Sequence, residues 1–352
     1  MIKKFPFLSL LFCAFFVNAQ QSYYDDVDLT KTGLDLKDEL ATKITTTHTQ
    51  FLSYTPGVWD ACKATDVNPD NDTEVLLLYG RPDGTATLSR TRGIDDNGGN
   101  FLDWNREHVY PKSLGNPNLG ETGPGADAHH LRACDVSRNS SRSNQLFADG
   151  SGNSDNVTGG WYPGDEWKGD VARMMMYMYL RYGDQCLPSA VGVGTANAID
   201  SNMIDLFLEW NAEDPVSQIE DNRNEYHEDT SNNAAQGNRN PFIDNPYLAT
   251  LIWGGTAAEN RWSATASSNS FESFEAKIYP NPSSNGTINI QLSNQTNITN
   301  INIISVIGKS IFNVQNPDFE NNKFTINNLA SGVYLIKLTS KTGTTTKKLI
   351  VK

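Results

Sequence analysis

The chain has 352 residues, with 28 Lys and Arg against 41 Asp and Glu and a formal net charge of −13 at pH 7. At roughly 100–200 residues per domain there is room for two domains with buried cores, and a composition 38% hydrophobic and 20% charged excludes wholesale disorder and collagen-like repeats. So acidic a chain also argues against a protein that grips nucleic acid through clustered lysines and arginines.

Lys3 and Lys4 precede an apolar run from Phe5 to Val17, and Val17-Asn18-Ala19 supplies the small residues of a cleavage site. Residues 1–19 are therefore expected to be a signal peptide, with the mature chain beginning at Gln20. The run is shorter than the ~20 residues a spanning helix needs, and no later stretch is long and apolar enough, so the mature chain is expected to carry no transmembrane segment. A helix is expected over Leu34 to Tyr54. With the signal removed, Cys62, Cys134 and Cys186 remain. An exported chain meets oxidising surroundings, so one disulfide and one free thiol are expected. Of the three pairings, Cys62 with Cys186 is favoured, because Cys134 lies inside the motif described next. Asp66 to Asp72 alternates oxygen-bearing side chains like a calcium loop, but it lacks the glycine and the glutamate such a loop needs at its sixth and twelfth positions, so it reads as a solvated turn. Asp95 to Asn100 reads as a loop.

There is no GxSxG, HExxH or Walker lysine loop, which removes the simplest serine-hydrolase, zinc-protease and nucleoside-triphosphatase readings. Of five histidines, His108, His129 and His130 fall within 23 positions. That interval runs Trp104-Asn105-Arg106-Glu107-His108-Val109, then a Gly/Pro/Asn loop, then Asp127-Ala128-His129-His130-Leu131-Arg132, then Asp135 to Phe147. A strand ending at His108, a second around His130 and a helix opening near Ser137 would make a compact strand–strand–helix unit, with Asn139 in the first turn of the helix. A histidine with an ordinary pKa of about 6.5 can take a proton from water at neutral pH. Glu107 and Asn139 offer hard oxygen ligands suited to Mg²⁺, Mn²⁺ or Ca²⁺ rather than zinc. Arg106, Arg132, Arg138 and Arg142 could hold phosphates by forked hydrogen bonds. His48 and His227, distant in sequence, read as incidental.

From Asp165 to Tyr182, apolar residues recur at helical spacing (Val171, Met174, Met175, Tyr177, Met178 and Leu180), which predicts a buried helix. A second helix is expected over Ala198 to Asn211. Ser263 to Ser273 is small and polar and reads as a linker. Short alternating segments follow, at Thr287–Leu292, Ile301–Val306, Lys323–Ile326, Gly332–Leu338 and Thr344–Val351, separated by turn residues, and they predict a small antiparallel β-sandwich. The expected fold is α+β: a mostly helical domain over 20–262, a linker at 263–273 and an all-β domain over 274–352.

Trp104 to Val109, His129-His130-Leu131-Arg132 and Asn139-Ser140-Ser141-Arg142-Ser143-Asn144 together resemble the bacterial endonuclease I family, whose site is the ββα-metal, or His-Me finger, motif. The likeness continues through Tyr162 to Arg173 and Gln236 to Asp244. It implies His108 as general base on water and Glu107 and Asn139 as Mg²⁺ ligands, with cleavage leaving a 5′-phosphate and a free 3′-hydroxyl. The family also places a phosphate-steadying arginine between the catalytic histidine and the second strand. Residues 109–131 contain only Lys112 as a basic residue, so Arg132 and Arg142 are taken as catalytic substitutes, with Arg106, Lys112, Arg138 and Asn144 contacting substrate. The tail resembles the C-terminal sorting domain of type IX secretion, on Ile278-Tyr279-Pro280-Asn281-Pro282, Asn327 to Tyr334 and the closing Lys347 to Lys352.

These likenesses imply a secreted or surface-held, monomeric, Mg²⁺-dependent and sequence-nonselective endonuclease. It would degrade extracellular DNA, with RNA as a further substrate, and leave the cell through the type IX machinery. A secreted ribonuclease on the same scaffold is the runner-up, and a surface binding protein with a non-catalytic nuclease-like domain the third reading. The charge is uneven: residues 81–142 hold eight basic and eight acidic residues, whereas residues 143–260 hold 5 basic against 18 acidic. The acidity thus lies mainly outside the proposed site.

Overall fold

The computed structural model describes residues 22–262, 276–292, 298–305, 310–320, 322–340 and 344–352. The expected signal and linker lie outside the described residues. The chain divides into two compact units, Met1–Ala264 and Thr265–Lys352.

The first unit runs α1 (Gly33–Thr47), α2 (Gly57–Thr65), β1 (Val67–Asn68), β2 (Asn71–Leu76), β3 (Thr91–Gly93), β4 (Trp104–His108), β5 (Leu131–Asp135), α3 (Val136–Arg142), β6 (Asp155–Val157), β7 (Gly160–Tyr162), α4 (Lys168–Tyr182), α5 (Asp205–Glu213), α6 (Gln218–Glu228), α7 (Pro241–Asp244) and α8 (Tyr247–Trp253). The strands form three small sheets, β1-β2-β3, β4-β5 and β6-β7. Helix and strand are mixed, because the loops between helices pair into short antiparallel ladders.

α4 is the centre of the core. Every residue from Gly169 to Leu180 is buried; most are apolar, and the two charged ones, Asp170 and Arg173, are paired internally with Arg132 and Glu220, as buried charges must be. Each fully buried Met, Leu or Tyr contributes about 1.5–3 kcal/mol. α1 buries Leu36, Leu40 and Ile44 as one stripe. It ends at Thr47 rather than at Tyr54, because Thr46 and Thr47 turn their hydroxyls back onto the carbonyls of Thr42 and Lys43, which weakens a helix end. The released segment then runs free of helix to Pro56. α5 likewise begins later than expected: Asn197 Oδ1 accepts from the amides of Ile199 and Asp200, and Asp200 Oδ1 from that of Asn202. These side-chain bonds hold the preceding residues in turns.

The expected Cys62–Cys186 disulfide is not formed. Cys62, Cys134 and Cys186 are all buried free thiols. Cys62 faces the carbonyl of Leu131, Cys134 donates to Leu78 O at 3.3 Å, and Cys186 sits in a different apolar cluster from Cys62. Burial raises all three thiol pKa values, which leaves them unreactive. Unfolded without reductant, the chain from Gln20 onward should titrate three thiols with a chromogenic disulfide reagent; a single reactive thiol would restore the disulfide.

The second unit consists of β8 (Ala276–Tyr279), β9 (Ile288–Leu292), β10 (Ile298–Ser305), β11 (Ser310–Gln315), β12 (Lys323–Ile326), β13 (Gly332–Ser340) and β14 (Thr344–Val351). Two antiparallel sheets, β11-β10-β13-β14 and β12-β9-β8, share one core that includes Ile288, Ile290, Ile301, Ile303, Ile336 and Leu338. Two strands are missing from the expectation, β8 and β11; both are edge strands, β11 with no fully buried residue and β8 with one, so their sequences carry little alternation to read.

Candidate active site

β4 and β5 pair antiparallel with Glu107 opposite Arg132 and His108 opposite Leu131. The chain turns directly from β5 into α3, where the Asp135 carboxylate caps the helix by accepting from the amides of Ser137 and Arg138. Asn139 thus sits on the first turn of α3 and Arg142 one turn further, while α3 packs against both strands. A cavity of about 400 Å³ opens here, lined by Arg106, Glu107, His108, Lys112, Ser113, Asn118, Asn139 and Asn144, among others.

His108 is only 9% exposed, and its Nε2 donates to Gly125 O at 2.9 Å. That bond sets the tautomer, leaving Nδ1 as a lone-pair acceptor. Burial, with His130 beside it, pushes the imidazole pKa down to about 3, so the ring is neutral throughout the physiological range. Glu107 is buried, and both its contacts fall on Oε1: Tyr79 Oη donates at 3.1 Å and Arg142 Nη1 stands at 3.3 Å. Oε2 is then the oxygen left to face the cavity. Burial raises the Glu107 pKa to about 7 against the pull of Arg142 and Tyr79. Asn139 donates its Nδ2 to Asn105 Oδ1 at 2.8 Å, which frees its own Oδ1 as a ligand. A carboxylate oxygen and an amide oxygen entering one cavity fit a hard divalent cation, and a cation there would hold Glu107 ionised.

The structure corrects three of the six basic and amide residues proposed to touch substrate. Arg132 is fully buried, donating to Asp66 at 2.7 Å and Asp170 at 2.9 Å. Asp66, first residue of the calcium-like turn, also takes Arg223 at 2.6 Å, so the turn is a β1–β2 hairpin anchored in an internal ion network. Arg142 is 1% exposed and donates to the carbonyls of His108 and Val109 at 3.2 and 2.8 Å; it braces the strand end and neutralises Glu107 from below. Arg138 turns away to Ser154, bonding its carbonyl and hydroxyl at 2.6 Å. Both buried guanidiniums face carboxylates from other elements, Asp66 and Asp170 for Arg132 and Glu107 for Arg142, and neither lines the cavity. Arg106, Lys112 and Asn144 do line the cavity.

The other histidines gather where sequence distance gave no hint. His129 Nε2 faces Asn238 at 3.2 Å, the His227 ring lies 4.9 Å from that of His129, and His48 Nδ1 lies 3.8 Å from Asp127. His48 and His227 are thus part of a buried cluster and not incidental. Its hub is Asp127, which accepts from Tyr177, Tyr182, Gln236 and the His129 amide.

Residues 32–247 match the family model described as Endonuclease I. The chain belongs to the endonuclease I family. Residues 277–352 match the secretion system C-terminal sorting domain. The chain is 42% identical over 242 residues to an extracellular ribonuclease of Bacillus subtilis (strain 168) and 41% identical over 244 residues to one of Bacillus amyloliquefaciens, in each case across 66% of this chain and 78% of the relative. It is a nuclease that hydrolyses phosphodiester bonds, and it is secreted or held at the cell surface. Among the described residues no helix is long and apolar enough to cross a membrane.

In this endonuclease several site residues lie outside the motif that announced it. The Arg106 guanidinium is held between the rings of Tyr54 and Trp59, at 3.7 and 4.2 Å, and donates to Tyr54 O and Thr55 Oγ1. Tyr54 and Trp59 come from the segment after α1 and from α2, which only folding brings to β4. His130 Nε2 holds Pro124 O at 2.7 Å, next to the Gly125 carbonyl held by His108. A Cβ on Gly125 would lie 2.1 Å from Gly120 O, so the turn requires glycine. Gly125→Ala should therefore lower kcat roughly 10- to 100-fold by displacing the carbonyl that orients His108, and the backbone shift it forces should also lower the thermal unfolding temperature. Wild-type kcat would show that this carbonyl is not needed.

Proposed function

We propose that this chain is a divalent-cation-dependent, sequence-nonselective endonuclease that cuts both RNA and DNA in the backbone. The observation that carries the reading is the His108 Nε2 bond to Gly125 O, which leaves Nδ1 free beside Glu107 and Asn139 in a cavity whose cationic side chains are Arg106 and Lys112. His108 Nδ1 takes a proton from water, whose oxygen adds to phosphorus. The bond to the 3′-oxygen breaks, that oxygen takes a proton from solvent, and the products are a 5′-phosphate and a 3′-hydroxyl. Arg106, immobilised between two rings, and Lys112 hold the phosphate. Glu107 and Asn139 would hold the cation, Mg²⁺ by preference with Mn²⁺ or Ca²⁺ as alternatives, which when bound offsets charge on the phosphate and the leaving oxygen.

Because water is the nucleophile, the ribose 2′-hydroxyl has no part in the step. A ribonuclease that used that hydroxyl would need a second acid–base group in the cavity; the nearest imidazole, His130, is committed to Pro124 O, and this reading assigns Glu107 to the cation instead. Contacts to phosphate carry no base information, hence the lack of sequence selectivity. The named relatives are ribonucleases, which brings RNA alongside the DNA expected from sequence.

The test is digestion of RNA and DNA at matched nucleotide concentration, with and without a chelator. Expected are cleavage of both, 5′-phosphate ends, loss with chelator and recovery with Mg²⁺. Cleavage of RNA alone to cyclic phosphates, or activity in excess chelator, would overturn the reading.

A further inference from the structure

Phe51 is 68% exposed, on the segment that leaves α1 and runs to the active site. One face of its ring is covered: it stacks on His48, with centroids 4.7 Å apart and planes 18° apart. His48 is itself buried, 5% exposed, against Asp127. The backbone beneath is pinned, with the amides of Thr49 and Gln50 both donating to Gln236 O at 3.0 and 3.1 Å and Gln50 Nε2 donating to Thr230 O. The ring is thus fixed in orientation with its second face open to solvent. Three residues on, Tyr54 stacks on the His108 ring at 5.4 Å and carries Arg106. Three residues of chain span at most about 10 Å, so the open face of Phe51 stands within reach of the nucleotides next to the phosphate held at Arg106 and Lys112. Phe101 is as exposed, at 72%, but Asp95, Asp96 and Asp103 share its loop and repel a phosphate backbone.

We propose that Phe51 is a stacking platform for an unpaired nucleobase of the substrate, adjacent to the scissile phosphate. A base within a duplex has both π-faces occupied by its neighbours, so a single rigid ring with one free face serves only a base out of the stack. The enzyme therefore takes its substrate preferentially as single strand. The inference rests on the reading of the cavity as the cleavage site. Stacking of one base on an aromatic ring is sequence-tolerant, which agrees with nonselective cutting.

The experiment is steady-state cleavage of one fluorescent oligonucleotide, single-stranded and annealed to its complement, by wild type and by Phe51→Ala, Phe51→Leu and Phe51→Trp. On the single strand, Phe51→Ala and Phe51→Leu should raise KM roughly 5- to 100-fold at unchanged kcat, and Phe51→Trp should keep KM near wild type. KM for the duplex should not move. Unchanged KM for the single strand in Phe51→Ala, or an equal rise for both substrates, overturns the platform while leaving the nuclease reading standing. Failure of the wild type to cut either oligonucleotide with Mg²⁺ present overturns that reading itself.

Discussion

His108→Ala should lower kcat on RNA and DNA by roughly 10²–10⁴, the usual worth of a positioned general base. The substitution removes two things at once, the Nδ1 acceptor and the donor to Gly125 O. His108→Gln separates them, since its amide can still donate to that carbonyl but has no basic nitrogen. Both variants should be equally inactive. Circular dichroism and thermal unfolding should show His108→Gln folded, because the buried carbonyl keeps its partner. Activity within a few-fold of wild type in either variant would remove His108 from the role of base.

The second large effect is on stability. Arg132→Ala should cost about 3–5 kcal/mol, read as a fall in the urea midpoint, because it leaves Asp66 and Asp170 as buried carboxylates short of a partner. A protein of this kind has only about 5–15 kcal/mol in total, so the loss is a large fraction of its stability. Lys112→Ala, at the cavity rim, should leave the midpoint unchanged and raise KM. The pair of variants decides between the two assignments of Arg132. If Arg132→Ala kept its stability and raised KM instead, the arginine would be a substrate contact after all.

Arg132 shows where reading a sequence stops. Its place in His129-His130-Leu131-Arg132, two residues past a histidine, made it as good a phosphate ligand as any. The carboxylates that claim it come from Asp66 and Asp170, 66 and 38 positions away. Arg106 had the same local credentials and lines the cavity, because the rings that hold it leave it at the surface. Cys62 and Cys186 failed in the same way: three cysteines in an exported chain suggest a bond, but burial in separate apolar clusters keeps two thiols apart.

What the sequence determined by itself was local. Helical and alternating periodicity placed α4 and most strands of the tail, since backbone period follows from which residues are apolar, and the histidine-bearing interval suggested the β4–β5–α3 order. The ordered motif from Trp104 to Asn144 named the family. Tertiary structure alone decided which charges face solvent and which face each other. It gathered His48, His129 and His227 around Asp127, set the tautomer of His108 through Gly125, and left Phe51 with one covered face and one open. Partner identity and burial depend on residues far apart in the chain, and a desolvated charge is held by whichever opposite charge folding brings to it.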